Sequence, residues 1–396
     1  MSEFENPSQQ INPFEWTEVP HELFSELRRS CPVAKTTNGW YLASFDDVAE
    51  ATKHVEVFSA SFREPGVIVP DDEQFINEIL EPRHGKIRKV INSTVAHHKA
   101  MQVEDFVRDL CNEYLDPILA RGSGELINEF IAPLPVNVIS HLIGVPREDW
   151  PLFRRWSDEV VEGTYPTKYR NDRGIGLAGA HPEFTSYVDA LITQRRSMAA
   201  PPDDLVSRLL FTEIDGQRLT DTEVRTQLVF LIISGNETTR HLIGNLFATI
   251  VADATLFTEL KADRLLVERA VEESLRLDSP IHILLRNCLE PTEMFGVSMC
   301  PGEKVAFGIA SANRDASHHG LPDEFRLDRA NWRDHLAFGG GPHVCPGASL
   351  ARLEARVALE TFLDRVEEVS LEPGWTRRKA PVFWANGPVD VPIRVR

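Results

Sequence analysis

The chain has 396 residues, 42% apolar and 26% charged, with a formal net charge of -18, a length that allows one large domain or two ordinary ones and a core able to enclose a bulky ligand. The acidic balance, unbroken by any long basic run, repels phosphate backbones and excludes nucleic acid as an expected partner. The longest unbroken apolar run, residues 228–233, is far too short to cross a bilayer, so no membrane segment is expected.

Cys31, Cys111, Cys288, Cys300 and Cys345 are odd in number and lack CxxC spacing, which argues against a disulfide scaffold and against a zinc cage. The start, MSEFENPSQQ, carries acids and amides where a secretory signal needs a basic beginning and an apolar stretch, so a cytoplasmic location is expected. No repeat or linker stands out, and residues 1–396 read as a single domain.

In chain order, residues 21–29 predict a helix and residues 39–44 a short strand, and from about residue 101 helical periodicity dominates. Residues 174–179 spell GxGxxG, but the preceding YPTKYRNDR has no strand character and no βαβ unit surrounds it. The segment therefore reads as a flexible loop and not as a dinucleotide site. The strongest helix opens at Thr220, where TDTE offers a capping box, and runs to about residue 253. Along it Leu228, Leu231, Gly235, Thr238, Leu242 and Leu246 recur at steps of three or four, so a glycine and a threonine interrupt an apolar stripe. A second helix is predicted over 264–276, sheet over 297–310, a third helix over 348–363 and sheet again over 382–395. The pattern is mainly α, of the α+β class.

The sequence FGGGPHVCPGA, residues 338–348, is a glycine-rich loop that delivers Cys345 to the start of a helix. Free N–H groups and the positive helix end favour a thiolate, a good axial ligand for iron, and glycines let a large planar group approach the backbone. A lone cysteine in such a place is otherwise a buried structural thiol. The surroundings decide: Phe338, Gly339, Gly341, His343, Cys345 and Gly347 match the FxxGxxxCxG haem loop, and the chain resembles the cytochrome P-450 family over about residues 82–384, in its bacterial soluble form. The resemblance implies a helix-rich triangular prism with a small β region. It also implies haem b between the long distal helix and the cysteine-loop helix, with Cys345 on the iron.

Glu273 and Arg276 resemble the ExxR pair, which in the family joins a third member, here Arg329, to brace the haem-loop side. His84, Arg88, Arg286 and His343 stand where the family contacts the haem propionates, a task suited to the planar fork of arginine. The run SGNETTR, residues 234–240, resembles the [AG]Gx[DE]T motif. Gly235 leaves room for dioxygen, Thr238 offers a hydroxyl and Glu237 helps relay protons. Thr238 is also placed to bond back to its own helix. Ser234 stands where the family has Ala or Gly. Pro346, after the cysteine, removes one possible N–H to the thiolate, which predicts a lowered haem potential. The sequon at Asn236 falls inside a buried helix and is set aside.

By family position the pocket draws on residues 62–75, Phe230, Ile233, His282, Ile283, Phe383 and Trp384, which suits a hydrophobic small molecule, terpenoid, aromatic or steroid-like, with His282 as a polar anchor. The implied reaction inserts one atom of dioxygen into that substrate. No flavin or nicotinamide module is read in the chain, so electrons come from a ferredoxin and its reductase, with Arg352 and Arg356 offering a cationic docking face; a monomer is expected. A haem-thiolate peroxygenase or isomerase, or a non-catalytic haem sensor, are the other readings, and the Glu237–Thr238 pair favours dioxygen activation over both.

Overall fold

A computed structural model describes residues 11–16, 18–37, 39–61, 67, 69–95, 97–162 and 181–396. Most of the start of the 62–75 loop and the whole GxGxxG segment, residues 174–179, lie outside the described residues. Contacts divide the chain into two compact units, one made of Met1–Gly66, His241–Cys345 and Leu363–Arg396 and the other of Val67–Arg240 and Pro346–Phe362.

The first unit is built on a five-stranded sheet in the order Val33–Thr36, Gly39–Leu42, Lys304–Phe307, Leu284–Cys288, Phe58–Ser59. Only the pairing of Lys304–Phe307 with Gly39–Leu42 is parallel. Side chains alternate across it with the strand period of two. Tyr41 and Ala306 join Phe24, Leu27 and Ile283 in one cluster, while Leu42, Val305 and Phe307 join Phe45, Val48 and Phe58 in another. Residues 297–310 do carry sheet, as Val297–Met299 and Lys304–Phe307, but residues 382–395 yield a strand only at Pro392–Val395, paired antiparallel with Val369–Leu371. The helix predicted over 264–276 runs Leu266–Leu277.

The second unit is helical, with Arg83–Val95, Glu104–Arg121, Pro133–Ile143, Trp150–Glu162, Pro182–Ser197 and Leu205–Phe211 as its main elements. Phe153, Trp156, Phe184 and Tyr187 meet in edge and stacked contacts between Trp150–Glu162 and Pro182–Ser197. The long helix is Asp221–Ala252, of which the residues up to Arg240 count with this unit and those from His241 with the first. Its start is the predicted capping box: the Thr220 hydroxyl accepts from the Glu223 N–H at 3.1 Å and the Glu223 carboxylate accepts from the Thr220 N–H at 2.7 Å. The third predicted helix is Ala348–Arg365. Among the described residues no single helix is long and apolar enough to cross a membrane.

Candidate active site

The residues singled out by sequence divide between the units. In the first, Cys345 ends a loop closed on itself: its N–H donates to the Phe338 carbonyl at 2.9 Å, and the Val344 N–H donates to Gly341 at 3.2 Å. The half-buried Phe338 has its ring 6.2 Å from that of His335, and His343 closes the single turn Gly341–His343. The loop glycines answer to different demands. A Cβ on Gly341 would fall 2.2 Å from the Thr52 carbonyl and one on Gly340 2.5 Å from the Thr52 hydroxyl, so these two allow the loop to pack on the end of the Phe45–Ala51 helix. A Cβ on Gly339 would meet only Leu284, at 3.8 Å, and there it is the φ of +70° that requires glycine.

The loop hangs from the Leu266–Leu277 helix, whose Glu273 and Arg276 are each 1% exposed. Arg276 grips the Glu273 carboxylate through Nε at 2.9 Å and Nη2 at 2.8 Å, and Arg329 adds its Nε to both oxygens at 2.8 and 3.0 Å. The expected triad is thus assembled. Its free N–H groups take backbone carbonyls, Arg276 those of Asn313, Pro322 and Glu324, and Arg329 those of Gly320, Leu321 and Glu324.

Two further anchors went unread in the sequence. Glu272, beside Glu273 and equally buried, holds His335 Nε2 at 2.9 Å, and the Asn313 side chain accepts from the Leu336 N–H at 2.7 Å. Both fix the chain just ahead of Phe338. No local pattern announces them, since each partner pair lies more than twenty residues apart.

Arg286 projects from the Leu284–Cys288 strand over the Phe307 ring at 5.3 Å, with Nη1 on the neighbouring Leu285 carbonyl at 2.8 Å. Among the described residues no carboxylate pairs with it, and desolvation alone pushes its guanidinium down to about 10. Such a cation favours an anionic group brought within reach. In the same unit Ile283 is buried in the core. His282, expected to face a substrate, is wholly buried, with its Nε2 hydrogen-bonded to the Phe383 carbonyl. Phe383 packs on Phe14 at 5.1 Å, and Trp384 is half-buried beside it.

In the second unit the long helix presents Phe230 stacked on Phe75 at 5.0 Å, with Ile233 buried nearby in sequence. Gln227 donates to the Gln74 carbonyl at 2.7 Å, so residues 72–75 are pinned to this helix. A Cβ on Gly235 would touch only Ile139, at 3.8 Å, which leaves room beside the backbone. The Thr238 hydroxyl donates to the Ser234 carbonyl at 3.1 Å and that of Thr239 to Gly235 at 3.1 Å, the expected bond back to the preceding turn. Glu237, 2% exposed, pairs with Arg240 Nη2 at 2.8 Å, and Arg240 also reaches Asp158 at 3.5 Å. This partner repeats the ExxR spacing, and that spacing was a usable signal.

His84 is buried near the start of the Arg83–Val95 helix, its Nδ1 on Glu81 at 2.7 Å, with the half-buried Arg88 one turn further on the same face. The Gly347 carbonyl accepts from the Ala351 N–H at 2.9 Å and starts the Ala348–Arg365 helix. Arg356 on that helix is no free docking cation: it pairs with Glu104 at 2.7 Å and Glu360 at 3.0 Å, and Arg108 joins the same two acids. Its charge is spent inside the unit, which corrects the docking face drawn from its spacing to Arg352.

Each unit by itself carries groups suited to an anionic, bulky cofactor: the first an arginine with no carboxylate partner among the described residues, together with the glycine-rich Cys345 loop, and the second a glycine with open space beside its helix, and a histidine and an arginine on one helix face. Comparison with known proteins agrees. Residues 176–376 match the family model described as Cytochrome P450. The steroid C26-monooxygenase of Mycolicibacterium smegmatis is 32% identical over 376 residues, covering 94% of this chain and 92% of that one. Among solved structures, CYP109Q5 from Chondromyces apiculatus is 31% identical with a TM-score of 0.86, covering 98% of this chain and 99% of its own. CYP109E1 from Bacillus megaterium, in complex with testosterone, is 30% identical with a TM-score of 0.83, covering 95% and 99%. The chain belongs to the cytochrome P450 family, monooxygenases that bind haem b, and it has their fold.

Proposed function

We propose that this enzyme inserts one atom of dioxygen into a hydrophobic, steroid-like small molecule, with Cys345 as the iron ligand and with electrons from a ferredoxin. The carrying observation is Arg286, a desolvated guanidinium without a carboxylate among the described residues, in the same unit as the Cys345 loop. Arg286, His84, Arg88 and His343 would hold the propionates. Glu81 occupies Nδ1 of His84, so Nε2 would be the nitrogen that holds a propionate. Phe338, Gly339 and Gly347 shape the thiol loop. When bound, haem supplies the activation of dioxygen with two electrons and two protons.

The residues of the long helix then manage protons and water. Gly235 keeps space beside the helix. The Thr238 Oγ1 proton is directed at the Ser234 carbonyl, so its lone pairs are the face offered to an incoming donor. The Glu237 carboxylate is held by Arg240; once released it would take a proton from solvent and pass it through water toward Thr238.

The steroid-like class is supported by the names of the similar proteins, a steroid C26-monooxygenase and a structure holding testosterone, and by apolar Phe230, Ile233, Ile283, Phe383 and Trp384. A cytoplasmic monomer acting as one domain, residues 1–396, belongs to the same proposal. The test is the absorption spectrum of the dithionite-reduced protein with carbon monoxide. A strongly red-shifted Soret band that Cys345→Ser removes is expected; a band at the histidine-ligated position would overturn the reading. Spin-state shifts with a steroid panel test the substrate class.

A further inference from the structure

Residues 380–387 form no regular strand, yet their carbonyls are occupied one after another by donors from elsewhere in the same unit. Lys379 Nζ takes Ala380 at 3.0 Å and Val382 at 2.8 Å. The His282 ring takes Phe383, and the His282 N–H takes Trp384 at 3.1 Å. Asn245 Nδ2 takes Asn386 at 2.8 Å and is itself oriented by Arg377 on its Oδ1 at 2.6 Å. The Asn386 N–H donates to Pro280 at 2.8 Å, and Ile281 bridges Ala385. Buried backbone groups need partners, and here the side chains of Lys379, His282 and Asn245 supply them alongside backbone groups.

We infer that His282 is a positioning residue: it latches the Phe383–Trp384 tip of the C-terminal loop, and through that tip sets which molecules the site accepts. The inference rests on the reading above that this tip lines the substrate pocket. His282 alone holds two consecutive carbonyls, one from its ring and one from its backbone. Its own carbonyl accepts from the Ala310 N–H at 3.1 Å, which ties the latch to the Ile309–Ala312 turn. Trp16 flanks the ring at 5.8 Å and Phe14 backs Phe383 at 5.1 Å, so the latch is roofed by aromatics. A carbonyl acceptor fixes the Nε2–H tautomer. Nδ1 has no hydrogen-bond partner among the described residues, and burial, with Lys379 and His21 nearby, pushes the imidazole down to about 4. The ring therefore stays a neutral donor at neutral pH.

Glutamine carries an N–H at nearly the place of Nε2, whereas leucine keeps bulk without a donor. The experiment compares wild type, His282→Gln and His282→Leu as haem-loaded proteins by amide hydrogen exchange and by Soret titration with imidazole and 4-phenylimidazole. Exchange at Ala385 and Asn386 should rise about tenfold in His282→Leu with Lys304–Phe307 unchanged, and glutamine should restore it. The ratio of affinities for the large and small azoles should shift about fivefold in the same variant and return with glutamine. If leucine prevents haem loading, Lys379→Met frees Ala380 and Val382 and should move both readouts the same way. Unchanged exchange, or raised exchange with an unchanged azole ratio, overturns the inference. No azole-induced Soret shift in haem-loaded wild type would remove the reading that this tip lines a pocket at the haem, and the inference with it.

Discussion

The Glu273 cluster allows charge balance to be separated from hydrogen-bond number. Two guanidinium groups share one carboxylate, so the buried trio carries one net positive charge. Glu273→Gln raises that to two and turns an acceptor into an amide donor facing two cations. Arg329→Leu brings it to zero but strips donors from the Gly320, Leu321 and Glu324 carbonyls. Uncompensated buried charge costs about 3–5 kcal/mol; an unsatisfied carbonyl costs about 1–3 kcal/mol, but the Glu324 carbonyl keeps its bond from Arg276, and Gly320 and Leu321 are exposed, so water can replace their lost donors at little cost. Against a total stability of roughly 5–15 kcal/mol, Glu273→Gln should lower the urea midpoint more than Arg329→Leu, although both act on the same cluster. The assay is urea unfolding followed by circular dichroism and by the Soret band. Equal or larger loss in Arg329→Leu would refute the argument that charge dominates here.

Four other outcomes follow. His282 and His319 are buried and neutral, their imidazoles pushed down to about 4 by desolvation. Below about pH 6.5 the unfolded chain binds protons that the folded chain does not, so stability should fall between about pH 6.5 and 4, and His319→Gln should flatten that slope in urea unfolding. Gly341→Ala places a Cβ against the Thr52 carbonyl and should lower haem retention, measured by transfer to apomyoglobin, far more than Gly339→Ala, which adds about 1–2 kcal/mol of left-handed strain. Thr238→Val should cut product formed per dioxygen consumed by about tenfold or more with peroxide rising to match, and Thr238→Ser should keep coupling. Glu354 is 2% exposed and desolvation raises its carboxyl well above the usual range, so its folded form is favoured at low pH and disfavoured as pH rises. Glu354→Gln should therefore stabilise the protein by an amount that grows from pH 5 to pH 8, seen as a rising melting-temperature difference.

Local rules carried the sequence a long way where the physics is local. The Thr220–Glu223 box, the long helix and the helix after Cys345 are each written within a few residues, and the structure sets their ends at Asp221–Ala252 and Ala348–Arg365. The Glu273–Arg276 pair is legible because both partners share a helix turn, and Arg329 only through the family resemblance. Glu272 with His335 was not, nor was the sheet order, in which Lys304–Phe307 inserts between Gly39–Leu42 and Leu284–Cys288. Residues 382–395 read as sheet because their composition is that of a strand, but donors from Lys379, His282 and Asn245 take the carbonyls a neighbouring strand would have used. Arg356 misled for the same reason: spacing reports that two cations share a face, not that Glu104 and Glu360 stand opposite.

The stretch from Asn313 to Cys345 holds almost no regular structure, which raises the question of how it can present the Cys345 thiol reproducibly. Ordering a residue costs about 1–2 kcal/mol of backbone entropy, and without helix or strand ladders that cost must be offset by something else. Here the offset comes from side chains rooted in one rigid helix. Arg276 and Arg329, fixed by Glu273, capture carbonyls from Asn313 to Glu324; Glu272 captures His335; the Asn313 side chain captures the Leu336 N–H; and the Phe338 carbonyl receives the Cys345 N–H. These anchors recur along the stretch, at Asn313, between Gly320 and Glu324, at His335 and Leu336 and at Phe338, so the thiol position is tied back to two adjacent glutamates on Leu266–Leu277. A substitution at Glu272 should then displace the loop with the five-stranded sheet intact: Glu272→Ala is expected to broaden the Soret band and speed haem loss while the far-ultraviolet spectrum stays that of the wild type. An unchanged haem off-rate in that variant would mean that the loop is set by Thr52 and its glycines alone.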